Sequence, residues 1–432
     1  MKAVIDCRML GSGGIGTYLQ SILPFLIKSF ECTLILYTKD VQNFNSMKNI
    51  KIIECDIKTF SLKELVAFPK EILKQINQND FYYSPYCNVP CGIMIPVFTT
   101  IHDIVFLDVE NLASKTGTLV RKFFYQRAIN KSKTVFTVSE FSAGRIRNKL
   151  RLQKTPLVIT YNAVPAWFTE NISKNNIKKN DNLLFVGNIK KHKGLHTLLE
   201  AFKILQNKGF NNKLSIVGNS ENFRTKDSSI KNEITEISNI EFTGKISDDK
   251  LKELYACSKL LIQPSLYEGF GMPPMEALSC GTNVVISDIP VFKEIYKDFP
   301  VTYFECENPQ NLADKIIEAL QKPSPGNLPD IYSFERTSDI IIKSIKNEVS
   351  KGKLQLFITG LLLCAEERNF WKNFAKCFHK PMFTQMFTIQ KKSHKPLNLT
   401  KFSLQKLINI LWQQNYIKNI CLLCQMHLCS LI

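Results

Sequence analysis

The chain has 432 residues, of which 44% are hydrophobic, which is long enough for two or three globular domains and too apolar for a disordered chain. Its formal net charge of +18 is uneven: residues 351–432 hold 12 of the 56 basic side chains and two of the 38 acidic ones, leaving 44 basic and 36 acidic in the first 350 residues. A basic surface of this kind suits anionic lipid, nucleic acid or an anionic substrate and does not choose among them. No run of 18 apolar residues marks a spanning helix, and Met1–Arg8 reads as a strand, not a cleaved leader. The 13 cysteines follow no framework and read as reduced thiols of a cytosolic chain.

Residues 1–165 alternate short apolar runs with helical periodicity, the pattern of βαβ units. Val4-Ile5 leads into Leu10-Gly-Ser-Gly-Gly-Ile-Gly-Thr-Tyr18 and then an apolar-periodic helix. A glycine-rich turn between a strand and a helix lets a ligand phosphate approach the backbone. A dinucleotide site would also need an acidic residue closing the next strand, but Glu31 precedes Thr33-Leu-Ile-Leu-Tyr37 and does not follow it. The run Pro96–Ile101 ends in His102-Asp103, at the strand end where α/β sheets bind ligands. Residues 115–133 carry six basic side chains and no acid, with Leu119, Val120, Phe123, Phe124, Ala128 and Ile129 at helical spacing. That pattern fits a core-facing helix with a solvated basic face, or a helix resting on an anionic membrane. Thr134–Ser142 reads as a strand followed by a helix that Ser139 caps.

Residues 166–181, polar and rich in Asn and Lys, read as an interdomain linker. A second set of βαβ units starts at Leu183-Leu-Phe-Val-Gly-Asn-Ile-Lys-Lys-His-Lys-Gly194, with strands expected at 213–218, 240–244, 260–262 and 282–286 and a helix at 248–257. Between the last two strands lies Glu268-Gly-Phe-Gly-Met-Pro-Pro-Met-Glu276, with two carboxylates eight positions apart. Pro273 and Pro274 suit a first helical turn, where a missing N–H costs nothing, and the glycines before them allow close approach to a ligand. Glu268 is therefore expected on a loop and Glu276 one turn into a helix, with free amides between them aimed at anionic oxygens. Phosphate flanked by two hydroxyl acceptors describes a sugar nucleotide. Helices at 312–320 and 332–345 close the pattern.

The text Gln263–Thr282, with EGFG, the prolines, EAL and CGT in register, resembles the E-x7-E motif of retaining glycosyltransferases of the GT-B fold, glycosyltransferase family 4. The resemblance covers about residues 1–348. It implies an α/β fold of two doubly wound Rossmann-like domains facing a cleft: an acceptor domain over 1–165, the linker 166–181, a nucleotide-sugar domain over 182–330 and a closing helix over 331–349 that packs back on the first domain. It also implies roles for particular residues. Lys193 would hold the donor diphosphate together with the amides of Gly269, Phe270, Gly271 and Met272. Glu268 would hold sugar hydroxyls, Glu276 the ribose, Ile246 the base through its backbone, and His102 the donor sugar without acting as a base. Gly14 would approach the donor phosphate from across the cleft. Asn188 stands where the family commonly has arginine, so Lys190 or Lys191 would compensate.

The reading is a hexosyltransferase that needs no cofactor and no metal. It moves mannose, from GDP-mannose by preference or otherwise a hexose from a UDP-glucose-type donor, to a glycan or lipid-linked saccharide during surface polysaccharide or lipopolysaccharide synthesis. The enzyme would work in the cytoplasm at an anionic membrane surface, without nucleic acid. Two rivals use other features: an NAD-dependent oxidoreductase built on the amino-terminal glycine loop, and a non-catalytic protein that binds a membrane or nucleic acid through its basic excess. Residues 350–432 match nothing known. Cys421, Cys424, His427 and Cys429 within them offer metal ligands or, more simply, thiols on an apolar helix. The tail reads either as a membrane-surface element or as non-native coding sequence.

Overall fold

The computed structural model describes residues 1–365 other than 45, 46, 48, 111, 170–178, 219–233, 235 and 236, with backbone alone for 169 and 354–365. The expectations for the tail, Cys421–Cys429 included, and for most of the linker concern residues outside those described. Two parallel sheets form the scaffold. The first has seven strands, β1 (Lys2–Asp6), β2 (Glu31–Leu36), β3 (Lys51–Glu54), β4 (Phe81–Ser84), β5 (Val97–Thr100), β6 (Ser132–Thr137) and β7 (Leu157–Ile159), in the order β3-β2-β1-β4-β5-β6-β7. The second has β8 (Leu183–Val186), β9 (Leu214–Val217), β10 (Ile240–Gly244), β11 (Leu260–Gln263), β12 (Asn283–Ser287) and β13 (Thr302–Phe304), in the order β10-β9-β8-β11-β12-β13. Each is doubly wound, with the strand order reversing beside β1 in one and β8 in the other. Those switch points open a crevice at the strands' carboxyl ends.

The central strands are buried on both faces, as parallel strands between helices must be, and so read as continuous apolar runs: every residue of β4, β5, β8, β9, β11 and β12 is buried. Helix Leu195–Asn207 shows how a crossover seats itself. Leu195, Leu198, Leu199, Phe202 and Leu205 recur along one face and pack with Leu183, Phe185, Ile216 and Ile262. Each such burial is worth roughly 1.5–3 kcal/mol. Sequence reading did not mark β3, β4, β7 or β13 as strands. They are three or four residues long, as β5, β8, β9 and β11 also are, so strand length alone does not mark them off from the loops.

The second sheet's core begins before the expected linker ends. Phe168 of helix Ala166–Thr169 is buried against Tyr255 at 5.7 Å. The helix expected over 332–345 runs from Phe334 to Ala365. At its start it touches the first domain: Phe334 meets Tyr18 edge-on at 6.2 Å, Thr337 donates to the carbonyl of Tyr161, and the Lys346 ammonium lies 5.6 Å from the Phe30 ring. Both sheets belong to one compact unit, Met1–Glu348; a second unit starts at Val349.

Helix Lys115–Lys131 differs from the core-facing pattern. Tyr125, Ala128 and Ile129 are buried, whereas Leu119, Val120 and Phe123 are exposed. Its apolar residues therefore divide between core and surface. Among the described residues no helix is long and apolar enough to cross a membrane.

Candidate active site

The loops that follow β8 and β11 meet because these two strands are neighbours across the switch point, with Leu183 opposite Leu260. They pack backbone to backbone. Gly194 has φ +68°, and a Cβ there would fall 1.8 Å from the carbonyl oxygen of Pro264, so only glycine fits. The amide of Leu266 donates to the carbonyl of His192 at 2.8 Å. This fusion brings Lys193 to Glu268, with Nζ to Oε1 at 2.7 Å and both side chains largely buried. Ser265 Oγ donates to the same Oε1 at 2.8 Å and accepts from Gln263 Nε2 at 3.0 Å. The pair is thus fixed from behind, and among the described residues Oε2 accepts no bond.

The rest of the motif folds as its residue types require. Gly271 precedes helix Met272–Ser279, the prolines occupy its first turn, and Glu276 lies one turn in. Glu276 accepts from Tyr255 OH at 2.8 Å, and burial pushes its carboxyl up to about 7. It shares no hydrogen bond or ion pair with Lys193 or Glu268. Phe270 is buried against Tyr332 at 5.6 Å, and the Gly271 carbonyl accepts from Tyr296 OH. Ile246, just past β10, packs on the same apolar cluster as Phe270 and Tyr255.

Across the cleft the first domain presents His102 and Asp103 from the end of β5. A Cβ on Gly269 would lie 3.0 Å from both Asp103 Cβ and the His102 carbonyl, so the two segments touch and any side chain would push them apart by a few tenths of an ångström. His102 Nε2 is 3.1 Å from the carbonyl of Pro85. A carbonyl only accepts, so Nε2 carries the hydrogen and Nδ1 keeps a lone pair. Burial lowers the His102 pKa to about 4, so the ring is neutral at pH 7, and Tyr18 meets it edge-on at 4.7 Å. Asp103 Oδ1 accepts from the Val105 amide at 3.1 Å, and desolvation raises its pKa against the opposing pull of Lys193.

Several residues to which sequence reading assigned no role in the site bind the motif loop and the helix after β12 to the first domain. Ser139 Oγ and Ser142 Oγ donate to the Gly269 carbonyl at 2.6 and 3.2 Å. Tyr267 OH donates to Asp108 Oδ2 at 2.9 Å, and Arg145 clamps the same carboxylate with two bonds. Glu294 accepts from the amides of Glu140 and Phe141, both at 2.7 Å, at the start of helix Glu140–Lys149. That is where a carboxylate is favoured by the helix dipole. Only Ser139 carried a local signal, its capping position; the others act through distance in the chain. Of the remaining expected residues, Asn188 and Lys191 are exposed whereas Lys190 is partly buried and faces the cleft; Gly14, in the first turn of helix Gly13–Ser29, stands in open space.

Two doubly wound sheets meeting at their switch points are the GT-B architecture, and the comparisons agree on that fold. Residues 168–333 match the model of glycosyl transferases, group 1. The chain is similar to the O-antigen chain mannosyltransferase RfbU of Salmonella typhimurium, 28% identical over 202 residues, which are 45% of this chain and 53% of that protein. It is similar also to the O-antigen chain mannosyltransferase B of Escherichia coli, 25% identical over 255 residues, 56% of this chain and 66% of that one. The matches thus span about half to two thirds of the relatives' length. In fold it resembles Anabaena Alr3699/HepE, solved with UDP and glucose, with a TM-score of 0.55 at 17% identity over 82% of this chain and 99% of that chain.

Proposed function

We propose that this chain is a retaining hexosyltransferase of the family 4 type that moves mannose from GDP-mannose to a hydroxyl of a glycan or lipid-linked saccharide, in the synthesis of a surface polysaccharide such as an O-antigen. The observation that carries the reading is the Lys193–Glu268 pair, held at 2.7 Å where the loops of β8 and β11 meet. The mannose preference rests on the two relatives named as O-antigen chain mannosyltransferases. In this reading the departing diphosphate gathers negative charge, which Lys193 and the amides of Gly269–Met272 stabilise. The diphosphate itself takes the acceptor proton, so transfer occurs on one face of the sugar and retains its configuration. Glu268 Oε2 and His102 Nδ1 accept sugar hydroxyls, and Glu276 accepts those of the ribose. Lys193 supplies the charge that a metal would bring, so chelation leaves the rate unchanged. The work is done in the cytoplasm at an anionic membrane surface.

Two variants test the assignment. A charged hydrogen bond to phosphate is worth roughly 1.5–3 kcal/mol, about a ten- to hundredfold effect. Lys193→Ala should weaken calorimetric binding of GDP and slow single-turnover transfer. Glu268→Gln leaves Lys193 free for phosphate, so it should bind GDP at least as well as wild type and still lose transfer. Equal weakening of GDP by both variants, or transfer unaffected in both, refutes the roles. Thermal shift across a panel of nucleotide sugars decides the donor; a UDP-hexose that stabilises more than GDP-mannose replaces it.

A further inference from the structure

A second cluster of charge borders the same cleft. The Arg121 guanidinium, on helix Lys115–Lys131, lies 4.2 Å from the centroid of the Phe106 ring, and the Lys190 ammonium, on the loop after β8, lies 5.6 Å from the same centroid. One ring therefore brings cations from the two domains within about 10 Å of each other. All three residues are partly buried. Two carboxylates lie near: Glu268 is held by Lys193 and Ser265 through Oε1, and Asp103 accepts from the Val105 amide through Oδ1 while its charge acts on Lys193 and Lys190. Among the described residues neither Arg121 nor Lys190 forms an ion pair, and Arg121 bonds only to the Gly117 carbonyl at 3.3 Å. Burial, then the charges of Lys193 and Arg121, lower the pKa of Lys190, whereas Asp103 raises it. Three cations against two carboxylates, Glu268 and Asp103, leave an excess of positive charge that an anion in the cleft would neutralise.

We infer that Arg121, Lys190 and Phe106 form a phosphate-binding site that straddles the cleft, beside the Lys193–Glu268 pair and separate from it. Arginine grips phosphate oxygens with two parallel bonds and lysine adds a point charge, and here one comes from each domain. A phosphate held between them ties the two domains together. Two sources can present it: the donor's diphosphate, or a phosphate on an amphiphilic acceptor. The second has support on the same helix, where Leu119, Val120 and Phe123 are exposed next to Arg121 and suit a hydrocarbon chain. The inference rests on the transferase reading only for the source of the phosphate, not for the site itself.

The test is calorimetry on the full chain with two probes, GDP and farnesyl diphosphate, using Arg121→Gln, Lys190→Ala, the double variant, and Lys203→Ala as an exposed control. The double variant should lose about ten- to a hundredfold in affinity for at least one probe while the control loses none. Arg121→Lys should restore part of the loss. Loss confined to GDP assigns the site to the donor, and loss confined to farnesyl diphosphate assigns it to the acceptor. The inference is overturned if both probes bind the double variant as they bind wild type, or if neither binds wild type. Lys193→Ala measured alongside keeps the two readings apart. Normal GDP binding by that variant would refute the diphosphate role of Lys193 and leave the second site standing; loss there alone, with Arg121 and Lys190 silent, would do the reverse.

Discussion

Replacing Gly269 by alanine should slow transfer without emptying the nucleotide site. The added carbon would sit 3.0 Å from Asp103 Cβ, 3.0 Å from the His102 carbonyl oxygen and 3.3 Å from Asp103 Oδ2. The first two neighbours are a Cβ and a backbone oxygen, which no rotamer change moves aside. The loop cannot simply retreat either, because Ser139 and Ser142 both hold the Gly269 carbonyl. Overpacking of this kind costs roughly 1–3 kcal/mol. The cost falls only on the arrangement in which the two domains touch, so the population able to react drops about 5- to 150-fold. Single-turnover transfer measures that drop, and calorimetric GDP binding should change less than transfer, because Lys193 stays in place and alanine keeps the amide at 269. Both domain cores are untouched, so the melting temperature should hold within a few degrees. Transfer within about twofold of wild type would refute the argument, as would a loss of GDP binding equal to the loss of transfer.

Arg8 is fully buried between Asp6 and Glu64, both at 2.6 Å, and Arg8→Met would leave two buried carboxylates facing each other. Urea unfolding should show about 3–5 kcal/mol of lost stability, and a loss below about 1 kcal/mol would mean the network is not a structural charge triad. The Glu276 carboxyl is raised to about 7 from an ordinary 4.5 by burial, so the native state holds a proton that the unfolded chain releases. Stability then falls as pH rises from about 4.5 through 7, and Glu276→Gln should abolish that part of the pH dependence of the melting temperature; identical pH profiles would contradict it. Lys122 and Phe123 are both exposed on the basic helix. Lys122→Glu with Phe123→Ser should lower sedimentation with anionic vesicles and leave binding to neutral vesicles near its already low level; unchanged binding to anionic vesicles would count against membrane contact by this face.

Much of this molecule is a local property of its sequence. Pro273 and Pro274 after Gly271 dictate a helix start, so Glu268 had to lie on a loop and Glu276 one turn in, whatever the rest of the chain did. Ser139 announces its cap because its hydroxyl, at the end of a strand, can accept from the amide three residues on. The apolar runs of the inner strands and the helix at 248–257 are equally plain, since burial on both faces leaves an unbroken apolar run and burial on one stripe leaves a period along the sequence. Short strands such as β4 and β13 carry no such period, and only pairing with their neighbours makes them strands. The site depends still more on tertiary structure. Lys193 and Glu268 form a pair because β8 and β11 lie side by side, an order that the sequence does not spell out. Lys190 and Lys191 are equivalent as text, yet only Lys190 turns toward the Phe106 ring, because the path of the loop decides which of the two neighbouring side chains faces the cleft. Gly269 reads as one more flexible residue until His102 and Asp103 are seen against it. Residue types dictate what each segment can do on its own; distance, burial and opposed charge exist only once segments remote in the chain have packed together, and those three quantities make the site.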